Sequence, residues 1–61
     1  MKDELLERYL RYMNSADELR AIATEIRDDN DHDAVVAVAD KYEQLAAELI
    51  SILQARVGVR A

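Results

Sequence analysis

Apolar side chains recur at alternating intervals of three and four residues along two long segments of this 61-residue chain. In the first segment the pattern runs through Leu5, Tyr9, Tyr12, Ala16, Leu19, Ala23 and Ile26. In the second segment it runs through Val35, Val38, Tyr42, Leu45, Leu49 and Ile52. Alternating threes and fours keep one stripe of side chains facing a neighbouring helix, whereas a strand would need a period of two. The pattern therefore predicts two helices that pack together along these stripes.

An acidic stretch, residues 27–34 with the sequence RDDNDHDA, separates the two periodic segments. Asp28, Asp29 and Asn30 are poor helix formers, and Asn30 tolerates the left-handed backbone of a turn. The chain has no proline and a single glycine, a composition typical of helical proteins. We predict one all-α domain over residues 1–61, an antiparallel helical hairpin with a helix at about 3–28, a turn at about 29–32 and a helix at about 33–57.

The first helix contains one possible interruption, near Asn14 and Ser15. Ser15 and Glu18 have the spacing of a capping box, with which a new helix could begin. The apolar stripe nevertheless passes through Ala16 without a change of phase, which favours an uninterrupted helix. A break near Asn14 and Ser15 remains the alternative.

Apolar residues beside the stripes widen the hydrophobic face of each helix beyond what one partner helix can cover. They are Leu6, Leu10, Met13 and Ile22 in the first helix, and Ala39, Ala46, Ile50, Leu53 and Val57 in the second. Monomers rarely tolerate an exposed apolar patch of this kind, so the hairpin is predicted to form a homodimeric four-helix bundle. Parallel and antiparallel arrangements of the two hairpins both satisfy the pattern. The predicted core and dimer residues are Leu5, Tyr9, Tyr12, Leu19, Ile26, Val38, Tyr42, Leu45, Leu49, Ile52 and Leu53.

The weak candidates for metal ligands are Asp29, Asp31 and Asp33, whose spacing is that of the first three ligands of a calcium loop. Such a loop also needs glycine at its sixth position and glutamate at its twelfth, where this chain has Ala34 and Asp40. These acidic residues fit better as the turn between the helices, with Asn30, Asp31 or Asp33 capping the second helix. We therefore predict no metal and no cofactor.

Side chains for catalysis are sparse in this sequence. It contains no cysteine and a single histidine, His32, and neither Ser15 nor Ser51 has a base at a fixed helical spacing. No Glu-x-x-His motif is present to build a dinuclear metal site inside a bundle. The chain is predicted not to be an enzyme.

The formal charge of −5 opposes the binding of phosphate backbones, so nucleic acid is not the partner that the composition favours. Arg20 and Arg27 lie beside the apolar stripe, where they are expected to pair with acidic side chains across it. No segment approaches the roughly 20 apolar residues of a membrane span, and acidic residues occupy the place of a signal sequence. A cytoplasmic location is expected.

The length, the central turn and the ending Ala55-Arg56-Val57-Gly58 give the chain an architecture that resembles the plasmid repressor-of-primer hairpin. That resemblance implies a dimeric four-helix bundle whose first helices bind paired RNA loops. Here the outward row of the first helix is mostly acidic, with Glu4, Arg11, Glu18 and Glu25. No RNA-binding residue is therefore transferred to this chain.

These features together predict a small regulatory or inhibitory module that acts as a homodimeric helical bundle and binds a still unidentified protein. An RNA-binding regulator of the repressor-of-primer kind is one alternative. A purely structural dimerisation module is the other.

Overall fold

The computed structural model describes residues 3–58 as two helices, α1 (Glu4–Ala23) and α2 (Asp29–Gly58), with side chains described as far as Arg56. The helices run antiparallel and pack along their length in a flat molecule with extents of 49 × 21 × 12 Å. No strand occurs within residues 3–58. The prediction of an all-α helical hairpin is confirmed.

Helix α1 begins with a side-chain cap and continues without interruption. The carboxylate of Asp3 accepts hydrogen bonds from the backbone N–H groups of Leu5 (3.0 Å) and Leu6 (3.4 Å), which no carbonyl within the helix could satisfy. The helix passes through Asn14 and Ser15, which confirms the prediction of continuity.

The connection between the helices occupies residues 24–28, earlier than the predicted turn at 29–32. Asp28 caps α2, because its carboxylate accepts from the N–H of Asp31 at 3.0 Å and its carbonyl from the N–H of His32 at 2.8 Å. The capping role predicted for Asn30, Asp31 or Asp33 therefore belongs to Asp28. With this cap in place, Asp29, Asn30 and Asp31 join the first turn of α2, where the negative charge of the two aspartates is favourable.

The contact stripe of α1 is the one that the sequence predicts. Ala16 and Ala23 are buried, and the larger members of the stripe are half-buried. Those larger members are Leu5, Tyr9, Tyr12 and Leu19, followed in the connection by Ile26.

The contact stripe of α2 differs in phase from the predicted one. Val38, Leu45 and Ile52 were expected to face α1, but they are 43%, 42% and 48% exposed. Ala39 and Ala46 are buried in their place. The stripe that faces α1 is made of Val35, Ala39, Tyr42, Ala46, Leu49 and Leu53. It keeps the alternation of threes and fours, and its alanines allow the two helices to approach closely. The predicted role of these three exposed residues, Val38, Leu45 and Ile52, in a dimer interface stays a prediction.

Only alanine is fully enclosed by this hairpin. The buried residues among those described are Ala16, Ala23, Ala39 and Ala46, and no larger side chain is fully buried. The rings of Tyr12 and Tyr42, with centroids 5.9 Å apart, pack across the seam but remain half-buried. Two helices form one layer, and a protein core ordinarily lies between two.

Candidate interaction surfaces

Two broad faces lie on opposite sides of the seam between α1 and α2. The helical period places Met13 and Arg20 of α1 on the same side as Glu43 and Ile50 of α2, and we call this side the groove face. The opposite side carries an apolar set that we call the aliphatic face. Its members are Ile22 of α1 and Val38, Leu45 and Ile52 of α2.

The groove face contains an apolar depression of about 290 Å³. It is lined by Tyr9, Met13, Glu43, Ala46, Ala47 and Ile50. Leu6 and Leu10 lie beside it on α1 and are 44% and 56% exposed. The sequence predicted the apolar character of this region but not its concave shape, which depends on the small side chains of Ala46 and Ala47.

A charged cluster occupies the other half of the groove face. The guanidinium Nη2 of Arg20 lies 2.7 Å from Asp40 Oδ1 and 2.8 Å from Glu43 Oε1, and Nε donates to Glu43 Oε2 at 3.2 Å. Hydrogen bonds to Glu43 and then to Asp40 raise the pKa of Arg20, so the guanidinium stays charged. The prediction that Arg20 pairs with acidic residues across the seam is confirmed. The same prediction is wrong for Arg27, which lies exposed in the connection and forms no ion pair or side-chain hydrogen bond within residues 3–58.

The aliphatic face is a continuous row along α2. Val38, Leu45 and Ile52 are seven residues apart, so they lie above one another on successive pairs of helical turns. Ile22 on α1, 52% exposed, adds a further aliphatic side chain beside the Val38 end of the row. Two charged residues, Lys41 and Glu48, border it on its outer side, and neither forms an ion pair or a side-chain hydrogen bond within residues 3–58.

A second link joins the open ends of the hairpin. Nη1 of Arg56, in the last turn of α2, donates to Oδ2 of Asp3 at 3.2 Å. Asp3 therefore caps α1 and holds α2 at the same time. Nothing in the sequence spacing indicated this contact, because the two residues are 53 positions apart.

The aspartates considered as cation ligands do not converge. Asp29, Asp31 and Asp33 all lie in the first turns of α2, where residues two apart point in nearly opposite directions. Nδ1 of His32 lies 3.3 Å from Oδ1 of Asp33, but no group of three metal-ligating side chains capable of holding an ion exists in the described part of the chain. The calcium-loop spacing falls on a helix rather than in a loop.

The arginines nearest the start of α1 share their surroundings with carboxylates. Arg8 and Arg11 line a shallow notch of about 250 Å³ together with Glu4 and Glu7. All four project from the same helix, so the notch is a gap between long charged side chains. Its mixed charge gives no uniformly basic surface for a phosphate backbone.

Comparison with protein families, with curated proteins and with solved structures found no match for this chain. Neither helix, over the residues described, combines the length and the apolar character that crossing a membrane requires.

Proposed function

We propose that the chain functions as a homodimer, in which two hairpins close into a four-helix bundle that binds another protein and regulates it without catalysis. The observation that supports the dimer is the absence of any fully buried side chain larger than alanine within residues 3–58. Six large aliphatic residues in that range are instead more than 40% exposed. They are Leu6, Leu10, Ile22, Val38, Leu45 and Ile52.

The dimensions of the hairpin are adequate for a stable pair. A face of 49 × 21 Å has an area on the order of 1,000 Å², against about 800 Å² per partner in a typical specific interface. Covering the exposed half of a large aliphatic side chain contributes about 1 kcal/mol. A chain of this size without disulfides ordinarily needs such additional stabilisation.

The groove face supports a role in protein binding. If the two hairpins meet through their aliphatic faces, the groove beside Met13 and Ile50 stays on the outside of the bundle. Its apolar floor, together with a net charge of −5, is complementary to an amphipathic helix that carries basic residues around its apolar side chains. We place this activity in the cytoplasm, as the composition predicts.

Analytical ultracentrifugation over a wide range of protein concentration tests the dimer. The expected mass is twice the 6.9 kDa of the chain. A stable, well-folded species of 6.9 kDa at several hundred micromolar would refute it, since the exposed aliphatic residues would then need no second copy.

A comparative pull-down from the native host tests the regulatory role. The wild-type dimer is compared with Ile50→Glu, which places a charge in the groove and leaves the aliphatic face unchanged. A protein that binds the wild type and is lost with the variant, while both remain dimeric, supports regulation through the groove. If the wild type retains nothing that the variant lacks, the purely structural dimerisation module is favoured instead.

A further inference from the structure

We infer that the second copy docks on the aliphatic face, with α2 antiparallel to the partner's α2 and a two-fold axis passing beside Leu45. This inference rests on the dimer proposed above and specifies its interface. It follows from the order of apolar and charged residues along α2 and from the way in which α1 repeats that order.

The aliphatic row of α2 is symmetric about Leu45. Val38 lies seven residues before it and Ile52 seven residues after it, so an axis at Leu45 brings Val38 against the partner's Ile52. Leu45 itself meets the partner's Leu45. All three side chains are exposed in the single hairpin, and in this arrangement each is covered by another aliphatic side chain.

The charges that border the row are complementary under the same symmetry. Lys41 lies four residues before Leu45 and Glu48 three residues after it. An antiparallel copy therefore places Lys41 beside the partner's Glu48, and the axis generates this pair twice. Both side chains are available, because neither has a charged partner within residues 3–58.

Helix α1 repeats this order at the same height in the hairpin. The contacts of Arg20 with Asp40 and Glu43, and of Asp3 with Arg56, place Ser15 of α1 at the height of Leu45 in α2 to within about one helical turn. Arg11 lies four residues before Ser15 and Glu18 three residues after it. The axis that pairs Lys41 with the partner's Glu48 therefore also brings Arg11 near the partner's Glu18.

The groove face fits a second copy less well. An axis at the same height would place Ile50 against the partner's Asp40, and Leu10 against the partner's Arg20. The Arg20 cluster would lose solvent, and the aliphatic residues would face charged groups, both of which are costly. The aliphatic face has no charged residue in its central row on α2.

A different symmetry axis, parallel to the helices, would pack α2 on the partner's α1. It would set Leu45 against the partner's Ser15 and Ile52 against the partner's Arg8. The flanking charges would still be opposite in sign, but two of the three aliphatic residues would face polar side chains. The inferred axis sets Ile22 against the partner's Arg8, but it covers all three aliphatic residues of α2 with aliphatic side chains. Apolar burial therefore favours α2 on the partner's α2, and cross-linking distinguishes the two arrangements.

Disulfide cross-linking is suited to this test because the chain has no cysteine. Leu45→Cys is expected to form a disulfide-linked dimer upon mild oxidation, since a residue on a two-fold axis meets its own copy. Val38→Cys and Ile52→Cys should each cross-link poorly alone but efficiently as a mixture. The inference would be overturned in favour of the other axis if Leu45→Cys alone did not cross-link but a mixture of Ser15→Cys and Leu45→Cys did.

Charge reversal provides a second, non-covalent test. Lys41→Glu should weaken the dimer on the order of ten-fold at low salt, because it brings two carboxylates together at each end of the interface. The double variant Lys41→Glu/Glu48→Lys should restore the affinity, since neither residue has a charged neighbour three or four positions away on its own helix. Equal affinity of the wild type and Lys41→Glu would contradict the inferred pair.

These results separate this inference from the proposed dimer. A wild-type chain that stays monomeric refutes both. A dimer that dissociates with Ile50→Glu and is unaffected by Leu45→Glu refutes only the interface, because the second copy would then lie on the groove face. Dissociation with Leu45→Glu, with Ile50→Glu still dimeric, supports it.

Discussion

Arg20 of α1 and Glu43 of α2 meet side on, with Nη2–Oε1 at 2.8 Å and Nε–Oε2 at 3.2 Å. This two-point contact fixes orientation as well as distance, because a planar guanidinium matches a carboxylate with two parallel bonds. Asp40 adds a third contact at 2.7 Å to the same guanidinium. Near Arg20 the contact between the helices includes alanines. Their small side chains pack closely but do little to fix how far one helix is shifted along the other. Arg20 therefore contributes to the register of α2 against α1, together with the Tyr12–Tyr42 contact and the bond between Arg56 and Asp3.

Replacement of Arg20 should destabilise the hairpin through lost charge pairing. We expect Arg20→Gln to lower the melting temperature more than Arg27→Gln, which removes the same charge from the exposed connection. The difference should shrink in 1 M NaCl, since exposed pairs are screened by salt. Because hydrogen bonds raise the pKa of Arg20, the stabilisation by its charge is lost only at strongly alkaline pH. The difference in melting temperature between the two variants should therefore stay constant across neutral pH. Equal melting temperatures of the two variants at low salt would contradict this role.

The stripe of α2 illustrates what periodicity alone can predict. Val35, Tyr42 and Leu49 belong to two overlapping stripes, one completed by Val38 and Leu45 and the other by Ala39 and Ala46. Both stripes alternate threes and fours, so the spacing predicts a helix and a contact face without choosing the phase. Ranking the two stripes by hydrophobicity favours the one that contains Val38 and Leu45. The structure selects the alanines, because their small size permits close approach of the helices.

The stripe of α1 was predicted in the correct phase, although its last member, Ile26, lies in the connection and not in the helix. Of its two alternative phases, one contains Arg20 and the other contains Arg8 and Ser15, and these polar residues do not suit a close contact with a neighbouring helix. The seven-residue spacing of Ala16 and Ala23, matched by Ala39 and Ala46, was the signal in the sequence for a close helix pair. The position of the connection was harder to predict, since several consecutive aspartates can each cap a helix.

Loss of the Asp28 cap should destabilise α2 specifically. We expect Asp28→Ala to reduce the free energy of unfolding by about 1 kcal/mol, because the N–H of Asp31 loses its acceptor. Asp29→Ala is the matched control, since it removes an equal charge from the same end of the helix but no capping bond. Urea unfolding followed by circular dichroism at a fixed protein concentration measures both. If Asp29→Ala costs as much as Asp28→Ala, charge rather than capping is responsible.

The alternative function as an RNA-binding regulator leads to a direct binding measurement. We expect no binding of a paired RNA loop even in 50 mM salt, because Glu4 and Glu7 surround the arginines at the start of α1. Fluorescence anisotropy of a labelled RNA would report binding. Should affinity appear at low salt and fall steeply as salt increases, the RNA alternative would replace protein binding as the proposed function. Arg8→Gln would then be expected to weaken it.

Enlargement of a seam alanine should be far more damaging than enlargement of a surface alanine. Ala16 is 0% exposed, so Ala16→Leu must push the helices apart or force strained rotamers, at a cost of about 1–3 kcal/mol. Ala21→Leu adds the same atoms to the exposed side of α1 and should change stability by less than about 0.5 kcal/mol. Chemical denaturation of the two variants at equal concentration decides the matter. Equal stability would mean that the close approach of the helices at Ala16 is not needed for the fold, and the phase assigned to the seam would have to be revised.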